Sequence, residues 1–304
     1  MHDHSHSHPD HRAHVRPGSR TSLLWALFLT FGFALVEALA GWWSGSLALL
    51  SDAGHMVSDS MGLLMALFAA WIALRPPSAT HTFGLGRAET LTALANGLLM
   101  VVLVAAIVVG AIQRLQEPQP VQGAAVMGVA LFGLLINIAV LFVLHRGEQT
   151  LNTRGALLHV VGDALGSVAA LVSGAVIYYT GWMPIDPLLS MFICALILVS
   201  ALRLLRDALH VILEGVPSHL SVREVGEAMA QVAQVRSVHD LHLWTMGNGQ
   251  PALAAHVVIS DMTHWPDILD AQLHLLAERF HIEHVTLQPE LRTDLIATIA
   301  EPRT

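Results

Sequence analysis

The sequence predicts a membrane protein: an all-α bundle of six transmembrane helices, followed by a C-terminal cytoplasmic domain of mixed α+β structure. The 304 residues are 54% hydrophobic and only 12% charged, with a mean hydropathy of +0.59. Soluble domains of average composition are less apolar. Several uncharged runs also reach roughly the 20 residues that a helix needs to cross the hydrocarbon layer. From Glu214 onward, charges recur every few residues and the apolar runs shorten, which indicates a separate domain.

Six apolar runs are predicted to span the membrane. Buried core helices are the alternative, but six such runs would leave too little polar surface to cover a soluble fold. The polar N-terminus and the length of the first run differ from a cleavable signal, so we expect the first span to remain in the mature chain. The runs cover approximately residues 22–43, 46–74, 90–112, 121–144, 156–179 and 187–204.

Arginine positions predict the orientation of these spans. Arg114 alone falls at one set of helix ends, and nine other arginines fall at the opposite set. Basic residues are enriched in cytoplasmic loops, so both termini are predicted to be cytoplasmic. The nine are Arg12, Arg16, Arg20, Arg75, Arg87, Arg146, Arg154, Arg203 and Arg206.

The composition indicates metal ligands of the imidazole and carboxylate types. There are 19 histidines, a formal charge of −8 and a single cysteine, Cys194. A lone cysteine excludes a disulfide framework or a thiolate cage, whereas imidazole and carboxylate suit zinc. The negative charge and the lack of a basic patch exclude nucleic acid as a partner. Residues 1–20 form a His-rich tail that we expect to be disordered, serving for weak metal capture or only as a solvated tail or cloning remnant.

Four domains follow from these patterns: the tail at 1–20, a transmembrane domain at 21–210, a cytoplasmic metal-binding domain at 211–296 and a C-terminal tail at 297–304. The cytoplasmic domain is predicted to have the order α-β-β-α-β. Its elements are expected at residues 220–232 (helix), 238–246 and 252–260 (strands, with a turn at 247–249), 266–280 (helix) and 284–288 (strand). A domain this small gains stability from dimerisation or from metal.

An internal repeat carries the chemistry. LLSDAGHMVSDSMGLLMAL in the second span resembles GALLHVVGDALGSVAAL in the fifth, and both contain His-x-x-x-Asp. Residues four apart share a helix face, so His55 with Asp59 and His159 with Asp163 are predicted to converge as a tetrahedral zinc site. A carboxylate at bilayer depth is costly unless paired, hydrated or metal-bound. Interhelical hydrogen bonding is the alternative for any one of the four.

Three further polar residues lie in the predicted spans. Asp52, one turn before His55, either orients an imidazole or faces water at a helix end. Glu37 and Asn137 either line the cavity or, as we expect, form interhelical hydrogen bonds, and they are not assigned as ligands. Because metal binding displaces protons from histidine, whose ordinary pKa is about 6.5, the site predicts exchange of metal for protons.

Together these motifs resemble the cation diffusion facilitator family, in particular its bacterial zinc transporters. The resemblance covers nearly the whole chain after the tail. It implies six spans with both termini inside, a bacterial inner (plasma) membrane location in contact with lipid, a metallochaperone-like cytoplasmic domain, a homodimer, and export of Zn²⁺ in exchange for protons. The matching motifs are LLSDAGHMVSDS, HTFGLGRAE, HVVGD, IDPLLS, LEGVP and VHDLHLWTMG.

The resemblance also implies site residues. His55, Asp59, His159 and Asp163 match the family's transport site, and histidine at the first of these is typical of the zinc-selective type. His81 matches a ligand in the loop between spans two and three, although Leu85 replaces a second histidine there.

In the cytoplasmic domain, His239, His256 and Glu290 match ligands, while Glu283 and His284 straddle a further position and leave the fourth ligand open. Surface histidines on a sheet are the alternative. The family also places a charge pair where Arg87 and Glu214 stand, which implies a salt bridge near the dimer waist. Candidates for a second cytoplasmic ion are His242, His264, His274 and His281.

The sequence therefore predicts a zinc/proton antiporter, with cadmium and other divalent transition metals as further substrates, and not an enzyme. Two alternatives use the same ligands. An intramembrane metalloenzyme would need an open coordination position and a general base, and no HExxH motif supplies one. A membrane metal sensor would bind zinc without moving it.

Overall fold

The computed structural model describes residues 17–146 and 151–291. Residues 1–16 of the predicted His-rich tail and the predicted tail at 297–304 lie outside the described residues. In the described residues up to 212, all the regular secondary structure is helical, and each helix is long. The six helices are α1 (Pro17–Ser44), α2 (Leu47–Ala73), α3 (Arg87–Gln116), α4 (Gly123–Arg146), α5 (Leu151–Thr180) and α6 (Ile185–Ile212).

Five of these helices are long and apolar enough to cross a membrane within the described residues. They correspond to the second through sixth predicted spans. The span in α1 stays a prediction, because its first side chains lie outside the part that the structure describes. The five stretches are Leu47–Ala73, Arg87–Gln116, Gly123–Phe142, Val160–Thr180 and Ile185–Ile212.

Glycine and proline mark the helix ends. Gly181 has a φ of +68° directly after α5, the left-handed conformation that ends many helices and that glycine adopts without steric cost. Its amide donates to the carbonyl of Ile177 at 2.9 Å. Pro76 and Pro77 follow α2 and disfavour its continuation. Proline is also tolerated in a first helical turn, as at Pro187 in α6.

Contacts divide the chain into two compact units, residues 1–61 with 99–200 and residues 62–98 with 201–304. In the first unit, small residues let helices approach closely. A Cβ added to Gly174 of α5 would lie 2.6 Å from the amide nitrogen of Met127 in α4. Small residues at helix interfaces permit such packing in membranes. Leu49, Val126 and Ala170 are fully buried in this unit's main apolar cluster.

The second unit contains a small α/β domain. Its strands are β1 (Val235–Thr245), β2 (Pro251–Ile259) and β3 (His284–Leu291), and its helices are α7 (Val222–Ala230) and α8 (Trp265–Phe280). β2 lies in the middle, antiparallel to β1 and parallel to β3. Buried side chains of both helices and of the sheet, including Met229, Leu253 and Leu276, form one core.

Two strands differ from their predicted bounds. β1 begins at Val235, three residues before the expected start, and β3 continues through Pro289 to Leu291. Proline cannot donate to a sheet ladder, which favours an early end, but an edge strand tolerates it. β3 is such an edge strand. The predicted turn at residues 247–249 is a short 3₁₀ helix.

Candidate metal centres

The first candidate centre lies between α2 and α5. Nε2 of His55 lies 3.6 Å from Oδ2 of Asp59, on the same helix, and 3.8 Å from Oδ1 of Asp163 on α5. These side chains are 15%, 21% and 6% exposed. The structure therefore brings one imidazole and two carboxylates of the predicted transport site together. His159 lies on α5 one turn before Asp163, but its side chain is outside the described residues.

The separations suit a shared ion. In tetrahedral zinc sites the bonds to nitrogen and oxygen are about 2.0–2.2 Å long, so two ligand atoms of one ion lie about 3.4 Å apart. The distances from His55 to Asp59 and to Asp163, 3.6 and 3.8 Å, exceed this value only slightly. They also exceed hydrogen-bond length. Nε2 of His55 is thus within reach of one carboxylate on its own helix and one on α5.

A second polar contact joins α2 and α5 beside this centre. The Asp52 side chain is only 2% exposed and accepts a hydrogen bond from Ser167. Ser167 in turn accepts one from Nδ2 of Asn137 on α4 at 3.2 Å, an interhelical bond of the kind expected for that residue. Gly166 allows the approach, because a Cβ there would lie 2.5 Å from Oδ1 of Asp52.

Glu37 differs from its expectation. Its side chain is fully buried, and neither carboxylate oxygen has a hydrogen-bond partner in the described part of the chain. The interhelical hydrogen bond expected for it is therefore absent among those residues. Glu37, Asp52 and Asp163 are thus three buried acidic side chains in the interior of the bundle.

Asp186, at the start of α6, anchors the N-terminus of α2. Its two oxygens accept hydrogen bonds from the Ser46 hydroxyl and the Leu47 amide, both at 2.6 Å. The Ser173 hydroxyl adds a third bond at 3.1 Å, and the Arg114 guanidinium lies 3.7 Å away. An anion at a helix N-terminus satisfies amides that have no partner within the helix. The contact fixes the helix that carries His55, and its only sequence signal was the IDPLLS motif.

The second candidate centre lies on the sheet of the α/β domain. Oε2 of Glu290 lies 2.9 Å from Nε2 of His239, and Oε1 lies 2.6 Å from Nδ1 of His256. Three ligand atoms, one from each of these residues, all lie within 4.8 Å of one another. The hydrogen bonds from His256 and then His239 hold the pKa of the Glu290 carboxyl below its ordinary value. Two imidazoles and a carboxylate form a donor set that suits zinc.

His284 does not join this cluster. It begins β3, opposite Ala252, whereas Glu290 lies near the other end of the same strand. Its ring packs edge-on against Phe83, with the ring centres 5.9 Å apart. Glu283 precedes it and is likewise separated from Glu290 by the length of the strand.

The remaining candidate histidines are dispersed. His81 lies in the α2–α3 loop with Nδ1 3.1 Å from the Thr80 hydroxyl. Within the described residues, His239, His256 and Glu290 are the one group of three that meets at metal-ligand distance. The other four candidates are His242, which contacts Asp240, His274, which contacts Asp270, and His264 and His281, which flank α8.

Arg87 and Glu214 form an ion pair. Nη2 of Arg87 donates to Oε1 of Glu214 at 3.0 Å, with the side chains 46% and 62% exposed. Glu214, two residues after the end of α6, has a φ of +58°, so its backbone adopts the left-handed conformation. The expected salt bridge is present.

Apolar membrane-length helices, an interior centre of imidazole and carboxylate, and an α/β domain with a similar cluster define an integral membrane protein that handles cations. Residues 23–213 match the family described as "Cation efflux transmembrane domain", and residues 217–292 match "Cation efflux protein, cytoplasmic domain". The chain belongs to the cation efflux family, the cation diffusion facilitators. It is thus a member of a transporter family and not an enzyme.

Characterised relatives cover almost the full length. The chain is 43% identical to the "Zinc transporter ZitB" of Escherichia coli (strain K12) over 290 residues, 94% of this chain and 92% of the relative. It is 35% identical to the "Cadmium, cobalt and zinc/H(+)-K(+) antiporter" of Bacillus subtilis (strain 168) over 283 residues, 91% of each. A solved "Metal-bound C-terminal domain of the CzcD transporter" matches 24% of this chain and 100% of its own, at 35% identity and a TM-score of 0.23.

Proposed function

We propose that this protein exports Zn²⁺ from the cytoplasm in exchange for protons, by alternating access at an intramembrane site of His55, Asp59, His159 and Asp163. The observation that carries the proposal is the convergence of His55 and Asp59 on α2 with Asp163 on α5. These residue types, at these separations, suit a tetrahedral ion of zinc's size. The names of the relatives support zinc as the first substrate and cadmium as a second.

The ligand chemistry supports coupling to protons. Zinc binds neutral imidazole and ionised carboxylate, so its arrival releases protons and protonation of the same groups releases zinc. One site cannot hold both cargoes at once. When the site opens alternately to the two sides, zinc leaves in one direction and protons enter in the other.

The topology of the proposal has six spans, with α1 as the first, and both termini in the cytoplasm of a bacterial inner membrane. Arginine placement supports this orientation. We further propose that the transmembrane domain covers residues 21–210 and contacts lipid, and that the cytoplasmic domain covers residues 211–296. The protein is proposed to form a homodimer. The matched cytoplasmic domain of the family and its small size support association of two copies.

A proton-driven flux assay tests the proposal. Purified protein in proteoliposomes, with zinc outside and an acidic interior, should accumulate zinc while the interior becomes more alkaline. Asp163→Ala should abolish both signals, because it removes a buried ligand. Asp207→Ala is the matched control, since Asp207 is an exposed carboxylate on α6, and it should transport at the wild-type rate.

Three results would contradict parts of the proposal. Wild-type flux by Asp163→Ala would remove the site, and zinc flux without a change of interior pH would remove the exchange. Zinc binding without flux would favour a membrane sensor. Comparing zinc with cadmium flux in His55→Asp tests selectivity, because replacing imidazole by carboxylate should lower the preference for zinc.

We also propose that the cytoplasmic cluster binds zinc. The support is specific: His239, His256 and Glu290 present three suitable ligand atoms within 4.8 Å. A bound ion would stabilise the domain by linking all three strands of its sheet. Zinc should raise the unfolding temperature of full-length protein in detergent, and His256→Ala should reduce that rise. An identical rise in the variant would rule out this site.

A further inference from the structure

Imidazole and carboxylate groups alternate in a chain across the sheet of the cytoplasmic domain. Glu290 joins His239 to Nδ1 of His256 through contacts of 2.9 and 2.6 Å. On the other side of the same ring, Nε2 of His256 lies 3.8 Å from Oδ2 of Asp240. Oδ1 of Asp240 contacts Nε2 of His242 at 3.1 Å. The metal-binding cluster proposed above therefore continues outward through a second carboxylate.

An irregularity in β1 puts Asp240 in this place. Between His239 and His242 the strand advances three residues while β2 advances two, from His256 to Ala254. This extra residue is a β-bulge. Asp240 also has a φ of +49°, a conformation that few residues other than glycine adopt, although aspartate and asparagine are enriched there. In a regular strand successive side chains alternate between faces, so the bulge is what turns Asp240 toward His256.

The two nitrogens of His256 have different roles in this arrangement. Nδ1 faces Glu290 and the side where zinc would bind. A metal at Nδ1 uses the lone pair of that nitrogen, so the ring proton must reside on Nε2. Nε2 faces Asp240. Metal-ligating histidines commonly donate their second N–H to a carboxylate, which fixes the tautomer and the ring orientation and makes the ligand more basic.

We propose that Asp240 is a positioning residue for the cytoplasmic metal centre: it accepts a hydrogen bond from the Nε2–H of His256 and is held in place by His242. Asp240 does not bind the ion itself. This inference rests on the proposed zinc site at His239, His256 and Glu290. The separation of 3.8 Å exceeds hydrogen-bond length, and a rotation of the ring toward the carboxylate on metal binding closes it.

The test uses full-length protein in which Asp59→Ala and Asp163→Ala remove the intramembrane site. Zinc affinity is measured by competition with a chromophoric chelator. Asp240→Asn removes the charge while keeping a side chain that tolerates the left-handed backbone. Asp270→Asn is the matched control, because Asp270 also contacts a histidine, His274 at 3.9 Å, but on α8 away from the cluster.

We expect Asp240→Asn to bind the same number of zinc ions as its parent, about 10- to 100-fold more weakly, with an unchanged unfolding temperature in the metal-free state. Asp270→Asn should bind as the parent does. Parental affinity in Asp240→Asn would overturn the inference, and loss of a whole zinc equivalent would also overturn it by making Asp240 a direct ligand. A parent whose binding is unaffected by His256→Ala would instead refute the zinc site itself.

Discussion

Replacing Asp186 by asparagine should destabilise the transmembrane bundle. The Asp186 side chain is fully buried, and each of its oxygens faces donors. Oδ2 accepts from the Leu47 amide and faces Arg114, while Oδ1 accepts from Ser46 and Ser173. Asparagine turns one oxygen into an NH₂ group. If it faces the serines, their hydroxyls can rotate to accept, but the Ala48 amide, which donates to the same oxygen at 3.4 Å, cannot. The principal losses are therefore the negative charge and this amide contact.

The magnitude follows from these contacts. Hydrogen bonds to a charged group contribute about 1.5–3 kcal/mol and neutral ones about 0.5–1.5, so the two bonds of 2.6 Å should lose roughly 1 kcal/mol each. Loss of the favourable charge at the N-terminus of α2 adds about 0.3–1 kcal/mol. Arg114 also loses its carboxylate, but it is 23% exposed and partly hydrated. The expected loss is about 3 kcal/mol in the free energy of unfolding.

Reversible unfolding in mixed micelles, followed by tryptophan fluorescence and helical circular dichroism, measures this loss. Asp207→Asn makes the same change at an exposed site of α6 and should stay within about 0.5 kcal/mol of wild type. Zinc flux should also fall in Asp186→Asn, because α2 carries His55 and Asp59. If Asp186→Asn unfolds at the same point as Asp207→Asn, the anchoring role is refuted.

Three further predictions concern the second unit. A Cβ on Gly247 would clash with the Gly86 backbone, so Gly247→Ala should cost about 1–3 kcal/mol in unfolding experiments. No loss would show that the contact is absent in solution. Arg87 and Glu214 are both well exposed, so either charge reversal should cost less than about 1 kcal/mol, and transport lost in the single reversals should return in the double swap. The Thr263 amide donates a hydrogen bond to the Asp261 carboxylate and lowers the pKa of that group. The resulting stabilisation is present above the unfolded pKa of about 3.9 and is lost as pH falls through the folded value. Asp261→Ala should therefore melt at a lower temperature than wild type at about pH 7, and the two melting temperatures should converge in acid.

The helical framework was predictable because its signal is carried by composition and repetition. Apolar runs of membrane length require helices, and the two His-x-x-x-Asp elements each occupy one helix face by periodicity alone. The small mixed domain was predictable from alternating apolar residues and turn signals. The ends of the strands were harder to predict. Pro289 indicates an early end of β3 unless it is known that β3 is an edge strand.

Several contacts at the candidate centres depend on tertiary structure and could not be predicted from the sequence. Asp240 looks like an ordinary strand residue, and only the register of β1 against β2 reveals the bulge. His284 lies close to Glu290 in sequence, but an extended strand separates them by roughly 3.3 Å per residue. The hydrogen bonds from Ser46 and Ser173 to Asp186 join three distant segments. Glu37 was expected to have a partner, and the fold gives it none among the described residues.

Transport as proposed requires α2 and α5 to close on a single zinc ion held by four side chains. Zinc K-edge X-ray absorption on protein carrying His239→Ala and His256→Ala measures the coordination of the ion that remains. We expect four nitrogen and oxygen ligands at about 2.0–2.2 Å, two of them imidazole, and an altered shell in Asp163→Ala. A six-oxygen shell without imidazole, or the same spectrum with and without Asp163, would contradict it.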